Sequence, residues 1–483
     1  MGKQKKRKSR TRPSVHSRSV QTATKTTSTL DRVLRAHNVF AILALIFGTC
    51  FLISTPPFQV PDEIAHFDRV FRLAEGGVMQ KLENGQSGDY VPASIDSAFQ
   101  QFRYLSWHWR QKLEKEKIFN ALRIPLNQEN RKFDRIDAGN YFYFSYIPQL
   151  PAVLIGKLFG MNVLIILYLG RVFGLVFYLI CVRYAIALIP EGKWLLLALA
   201  LMPICLAQAG SYNADCVLYS FSFLGVALLM KTLFDRGPLT LNKETVLLLA
   251  IFLVLGVLKV LYLPLVLLVF VIPRNRFKDR LQYYIITSSV VVLSAALAFA
   301  WLKISSSYSA LADPNADAPQ KIASLIHNPF LPVRLVTETM NYFPGLQYRM
   351  TIGILGYADT KLPDGVYTTY TMVILFLAII EGCKRFRLRT YGRISFGVVG
   401  IVIFLGAFVA LWLLNPRQNG FVVYGVQGRY FIPALFCFLL AFQGLFPFQL
   451  NLSSRKVLIL LLFFILFTAL FATQMTILER YYG

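Results

Sequence analysis

Pro56-Pro57-Phe58-Gln59-Val60-Pro61-Asp62-Glu63, with His66 and Asp68 close behind, is the stretch on which the reading of this chain turns. It comes directly after the first apolar run, where a helix would leave a bilayer. About half of the 25 acidic residues fall between positions 55 and 140, and most of the chain beyond them is apolar. Pro61 is pre-shaped for the first position of a helix. Asp62 and Glu63 would then sit in the first turn, where the helix dipole favours carboxylates. Ile64, Phe67, Phe71 and Ala74 recur at helical spacing and Gly76-Gly77 closes the run, which predicts a short amphipathic helix lying on a membrane. Asp62, His66 and Arg69, spaced i, i+4, i+7, are expected on its polar face. One reading of that face is capping plus solvation. The other is chemistry on polar headgroups, with Asp62 as a general base.

The chain has 483 residues, of which 55% are hydrophobic and 16% charged. That balance excludes an ordinary soluble domain. Repeated apolar runs of about twenty residues indicate an all-α integral membrane protein, because each can cross a bilayer core. The expected spans are 38–54, 163–189, 193–209, 214–233, 245–257, 259–273, 282–303, 366–383, 394–414, 429–446 and 455–475. That is about eleven, within a range of ten to thirteen. The stretch 141–160, rich in aromatics, reads as an interfacial segment. No cleavable signal peptide is expected, since the first apolar run begins late and no small-residue cleavage site comes after it.

The formal charge of +25 does not indicate nucleic acid. Lysine and arginine cluster in short loops and in residues 1–37, which read as a disordered basic cytoplasmic tail. Residues 38–483 form a single polytopic domain in this reading. The basic loops around Lys231, Arg274 and Lys384 should lie inside. The run 245–273 satisfies that only if it breaks into two short helices near Gly256 and Lys259. The loops 55–140, 304–365 and 415–428 then face outward together and share one compartment. Membrane lipids are the expected surroundings, and anionic headgroups suit the tail.

Further residues invite chemistry. Lys259-Val-Leu-Tyr262-Leu-Pro264 sets a lysine inside an apolar run, either snorkelling to an interface or binding an anion such as a lipid phosphate. Gln427-Gly428-Arg429-Tyr430 opens a span with an arginine able to grip phosphate or to anchor at the interface. Ser211-Tyr212-Asn213-Ala214-Asp215 reads as a capped turn. Gly353 to Asp359 reads as an outer turn carrying a carboxylate. Cys50, Cys181, Cys205, Cys216, Cys383 and Cys437 match no disulfide or metal spacing. No zinc site, P-loop or nucleophile triad is evident.

Taken in order, Pro56-Pro57…Pro61-Asp62-Glu63…His66, Ser211 to Asp215, Lys259…Pro264, Gly353 to Asp359 and Gln427-Gly-Arg429-Tyr-Phe-Ile-Pro433 resemble a bacterial family of polytopic membrane proteins. The family is catalogued as a domain of unknown function and placed in the GT-C glycosyltransferase superfamily. The resemblance covers residues 50 to about 475. It departs from the family's uninterrupted Pro-Pro-Asp-Glu by inserting Phe58-Gln59-Val60. It implies a GT-C-like bundle in the bacterial plasma membrane, with an extracytoplasmic site. There a sugar would move, with inversion, from a polyprenyl-phosphate donor to a glycan or glycolipid acceptor. Asp62 would be the base, with Glu63 as runner-up and His66 beside them. Lys259 and Arg429, with Tyr262 and Gln427, would hold the donor phosphate. Asp215, Asp359 and Arg69 are further candidates. Some superfamily members use a divalent metal and others do not. A transporter or flippase, or a polymerase or ligase, for lipid-linked saccharides is the alternative.

Overall fold

Ala36–Ser54 forms as a helix because it is apolar all round, and Val39, Phe40, Leu43 and Phe47 bury against its neighbours. The computed structural model describes residues 29–308, 318–382, 388–414, 420–443 and 455–483, with Gly2, Leu445 and 450–452 besides. Residues 3–28 of the basic tail and Cys383 thus lie outside the described residues, whereas Thr29–Val33 of the tail is a short helix rather than disordered. Among the described residues six helices are long and apolar enough to cross a membrane. They are Ala36–Ser54, Val163–Leu188, Asp215–Phe234, Arg280–Ser306, Thr390–Leu414 and Lys456–Tyr482. Each coincides with an expected span.

The other five expected spans are shorter or broken. Pro203 cannot donate a backbone hydrogen bond, so 193–209 divides into Lys193–Ala200 and Pro203–Ala209. The run 245–273 breaks at Lys259, whose extended backbone separates the helix Lys243–Leu258 from the tightly wound Val260–Val271. Asp364–Ile380 and Gly428–Phe442 complete the set. The stretch 141–160 contains two short turns and the helix Leu150–Leu158, whose nine residues reach only about 14 Å.

Contacts sort the helix ends into two poles. At one pole Asn162 donates to the Leu122 carbonyl (3.0 Å), Trp301 to the Asn140 carbonyl (2.8 Å) and Arg480 to the Leu105 carbonyl (2.8 Å). At the other, Arg183 meets Asn38 (3.0 Å) and Lys456 meets Asp31 (2.5 Å). There Glu381 accepts from the backbone N–H of Trp194 (3.0 Å) and Leu195 (2.9 Å), so its carboxylate caps the short helix Lys193–Ala200.

The first loop is a small folded body, which corrects the all-α expectation. Strands β1 (Lys81–Glu83), β2 (Gln86–Pro92) and β3 (Arg131–Arg135) form an antiparallel sheet in the order β1-β2-β3, with Lys81 opposite Gly88 and Tyr90 opposite Phe133. The helix Glu63–Ala74 packs on it through Phe67, Val70 and Phe71, which share a second core with Phe58, Val91 and Ile95. Glu63, His66, Asp68 and Arg69 are all buried, so the expected solvated face is instead enclosed by protein. Glu75 anchors this body. It pairs with Arg72 (2.6 Å), Lys157 (2.8 Å) and Arg131. Burial would raise the Glu75 pKa, but Arg131 and Lys157 outweigh it and hold the carboxyl below its ordinary range.

The charge pattern predicts that the pole carrying this body faces outward. A cysteine at exposed Glu116, with Cys50 and Cys181 replaced, is expected to react with an impermeant thiol reagent on intact cells. A cysteine at Arg280, on the opposite pole, should react only after permeabilisation. The reverse pattern inverts the orientation.

Candidate functional site

Glu63 organises the site without facing it. Its carboxylate is fully buried and grips Arg171 of the Val163–Leu188 helix through Arg171 Nε (2.8 Å) and Nη2 (2.6 Å). The same guanidinium donates to the carbonyls of Leu52 (3.2 Å), Thr55 (2.8 Å) and Pro56 (3.1 Å). Glu63 Oε1 also accepts from the Tyr212 backbone N–H at 3.2 Å. One pair therefore ties the end of the first helix, the Pro56–Glu63 loop and the 211–215 loop together. Glu63 shifts from base candidate to anchor. Arg171 was not among the residues expected from the sequence, although it too is a charge inside an apolar run, the signal that singles out Lys259.

Asp62 stands immediately before this anchor. The helix begins at Glu63, so Asp62 is not in its first turn. It has a left-handed backbone (φ 64°, ψ 9°), which aspartate tolerates better than most residues. Its side chain makes no capping bond and is 57% exposed. The carboxylate points to Arg429 Nη2 at 3.7 Å.

Arg429 is the centre of the group. It is almost wholly buried, with Nε 3.5 Å from Asp215 Oδ2 and Nη1 donating to Gln208 Oε1 at 3.1 Å. Gly428 lets it get there. A side chain at that position would collide with the backbone of Gln347 and Thr351. Tyr219 donates to the Arg429 carbonyl (3.0 Å) and Tyr262 to the Tyr430 carbonyl (2.9 Å). Tyr262 thus positions the Gly428–Phe431 turn. Asn213, not Asp215, caps the Asp215–Phe234 helix by accepting from the Cys216 N–H (3.0 Å), which leaves Asp215 to Arg429.

Lys259 joins from the break in 245–273. Its Nζ lies 3.7 Å from the Tyr430 ring centroid and 5.9 Å from that of Tyr141. It is buried and makes no hydrogen bond among the described residues. Arg429 also faces the Tyr430 ring, at 5.6 Å, so two cations flank one aromatic. His66 lies against Tyr141 and shares a 2.7 Å hydrogen bond with the Tyr146 hydroxyl. Burial, reinforced by the charges of Arg429 and Lys259, lowers its pKa from 6.5 to about 3. A small cavity of about 30 Å³ lies beside Arg429 and is also lined by Gln427, Gln208 and Pro61.

Two candidates lie elsewhere. Asp359 pairs with Arg480 (2.9 Å) and accepts from the Thr360 hydroxyl (3.0 Å), tying the last helix to the 353–361 turn. Arg69 donates to the carbonyls of Val78 (2.8 Å) and Gly77 (3.4 Å) within the loop body. Neither makes a hydrogen bond or ion pair to Asp62, Lys259 or Arg429 among the described residues. Five residues were not singled out from the sequence: Gln208, Tyr141, Tyr146, Tyr219 and Arg171. None of them carries a local spacing signal except Arg171.

A family profile matches residues 45–438, from the first helix to beyond Arg429. The chain belongs to the family described as Predicted membrane protein (DUF2142). This family member matches no curated protein and no solved structure. Its donor set does not suit a divalent cation. Among the described residues no three His, Cys, Asp or Glu side chains converge, and the guanidinium of Arg429 already lies between Asp62 and Asp215.

This geometry makes two outcomes testable. Removing one partner of a buried ion pair costs about 3–5 kcal/mol. Arg171→Met or Glu63→Leu should each lower thermal stability in detergent strongly, and the double variant should recover part of the loss. Full additivity would mean the pair is not coupled. For His66, the unfolded chain takes up a proton below pH 6.5 while the folded chain does not until about 3. The stability this contributes is present above pH 6.5 and declines as pH falls toward 3. The thermal midpoint of the wild type should therefore drop more between pH 7 and 4.5 than that of His66→Gln. Equal drops would place His66 in water.

Proposed function

We propose that this chain is a membrane glycosyltransferase. It moves a sugar from a polyprenyl-phosphate donor to a glycan or glycolipid acceptor outside the bacterial plasma membrane. The observation that carries the reading is the pairing of buried Arg429 and Lys259 with the half-exposed carboxylate of Asp62 at one pole of an apolar bundle. Two cations in low dielectric suit a phosphate, and a carboxylate beside them suits an attacking hydroxyl. In the same reading the eleven apolar segments form a GT-C-like bundle, with the pole of Asp62 outward.

The acceptor oxygen attacks the anomeric carbon from the face opposite the phosphate, and its proton passes to Asp62. The carbon–oxygen bond to the phosphate breaks, the electron pair leaves with the phosphate, and the configuration inverts. Arg429 and Lys259 stabilise the charge that develops on the leaving group. Asp215 and Gln208 hold Arg429 at its angle. His66, neutral at pH 7, adds no competing positive charge. An apolar cavity of about 470 Å³ supports a lipid-linked donor. Phe431, two residues from Arg429, lines it together with Phe404, Ile374 and Leu435. Leu355, Gly356 and Ala358 also line the small cavity beside Arg429.

Asp62→Asn keeps the shape and removes the basicity. In a strain whose own copy is deleted it should insert normally and lower the transferred sugar in the surface glycan by about two to four decades. Lys259→Met should weaken donor binding by roughly 10- to 150-fold, the loss of one charge-assisted contact. Wild-type glycan with Asp62→Asn removes Asp62 from the chemistry. Intact precursor accumulating inside the cell would favour transport.

A further inference from the structure

The pole opposite Asp62 carries a second cavity, of about 900 Å³. The helix Asp215–Phe234 links the two sites: Asp215 touches Arg429 at one end and Phe234 lines this cavity at the other, about 30 Å away. The rest of the cavity wall comes from residues 235–238, the end of Val260–Val271, the turn 272–276, Tyr283 and residues 388–392.

Four arginines line it, Arg236, Arg274, Arg276 and Arg389, against one acid, Asp235. Among the described residues none of the four has a carboxylate within ion-pair distance. Arg276 is held in place because its guanidinium donates to the Thr232 carbonyl and its own carbonyl accepts from the Leu239 N–H at 2.5 Å. Its Nε is buried without a hydrogen-bond partner. Arg274 lies over the rings of Tyr283 (5.4 Å) and Tyr284 (5.1 Å). Phe234, Phe270, Val271 and Ile272 supply an apolar wall of the same cavity. Retention of positive charge on one side of a membrane accounts for basic residues in these loops. It does not account for a cavity built around them, nor for arginine at all four positions, the side chain whose fork matches phosphate oxygens.

We infer that this cavity is a binding site for a phosphate-bearing anion, separate from the site at Asp62 and independent of the proposed transfer reaction. A lipid phosphate would seat its headgroup among the arginines and its chain against the apolar wall. A soluble phosphate would use the arginines alone.

The test uses the full chain in nanodiscs of phosphatidylcholine, with phosphatidic acid added in steps and bound lipid counted by native mass spectrometry. Inorganic phosphate and glycerol 3-phosphate serve as soluble competitors. Arg236, Arg274 and Arg389 are exposed, so the triple variant R236Q/R274Q/R389Q should fold. It should lose roughly a hundredfold in affinity for phosphatidic acid, because contacts made directly to the phosphate are lost. The control K243Q/K278Q/R280Q removes equal charge from the same pole outside the cavity and should lose only a few-fold. Displacement of the lipid by inorganic phosphate at matching affinity assigns the site to free phosphate. Resistance to both competitors assigns it to a lipid. Equal losses in the two triple variants, or equal binding of phosphatidylcholine by the wild type, would overturn the proposal.

Discussion

The buried pair of Glu63 and Arg171 is the constraint on which the rest of the site depends. Neither side chain touches solvent, so neither charge can be left alone. Arginine solves this by spending its fork on Glu63 and its remaining donors on three carbonyls at the end of the first helix. Glu63 uses its second role to hold Tyr212. The Tyr212 ring in turn lies against Gly170, one residue from Arg171, where any side chain would collide with it. Helix end, proline-rich loop and the 211–215 turn are thus locked by a single charge balance. Asp62 and Asp215 are placed as its neighbours.

The lock presents an uneven distribution of charge. Arg429 has Asp62, Asp215 and Gln208 around it, whereas among the described residues Lys259 meets aromatic faces and no hydrogen-bond partner. Burial, reinforced by the two cations, keeps the imidazole of His66 neutral, and it shares a hydrogen bond with Tyr146. Asp62 alone among the acids of this group is substantially exposed and has a backbone outside the common regions. A left-handed aspartate costs some folding energy, and in the proposed reading that cost sets the carboxylate beside the cations.

The two poles divide their work differently. At the pole of Asp62 the charges are paired, buried and supported by a folded loop body. At the far pole the arginines line an open cavity with little acid near them. The same helix, Asp215–Phe234, contributes to both, so displacement along its axis would be felt at each.

The sequence by itself determined the membrane class, all six long helices and the break at Lys259. Each depends on apolar length, charge placement or backbone chemistry within one segment. It also singled out Asp62, Asp215, Lys259 and Arg429, since charged groups inside or beside apolar runs are rare and stand out. It misjudged the helix Glu63–Ala74, because amphipathic spacing shows that one face is polar and not whether that face meets water or other protein. Only tertiary structure could bury His66 and Arg69 of that face against Tyr141, Tyr146 and the 77–78 carbonyls and pair Glu63 with a partner 108 residues away. Tertiary structure also sent Asp359 and Arg69 to structural duties and brought in Gln208 and the tyrosines. Partnership among buried polar groups is decided by which segments pack together, and that is not written in the spacing of any one of them.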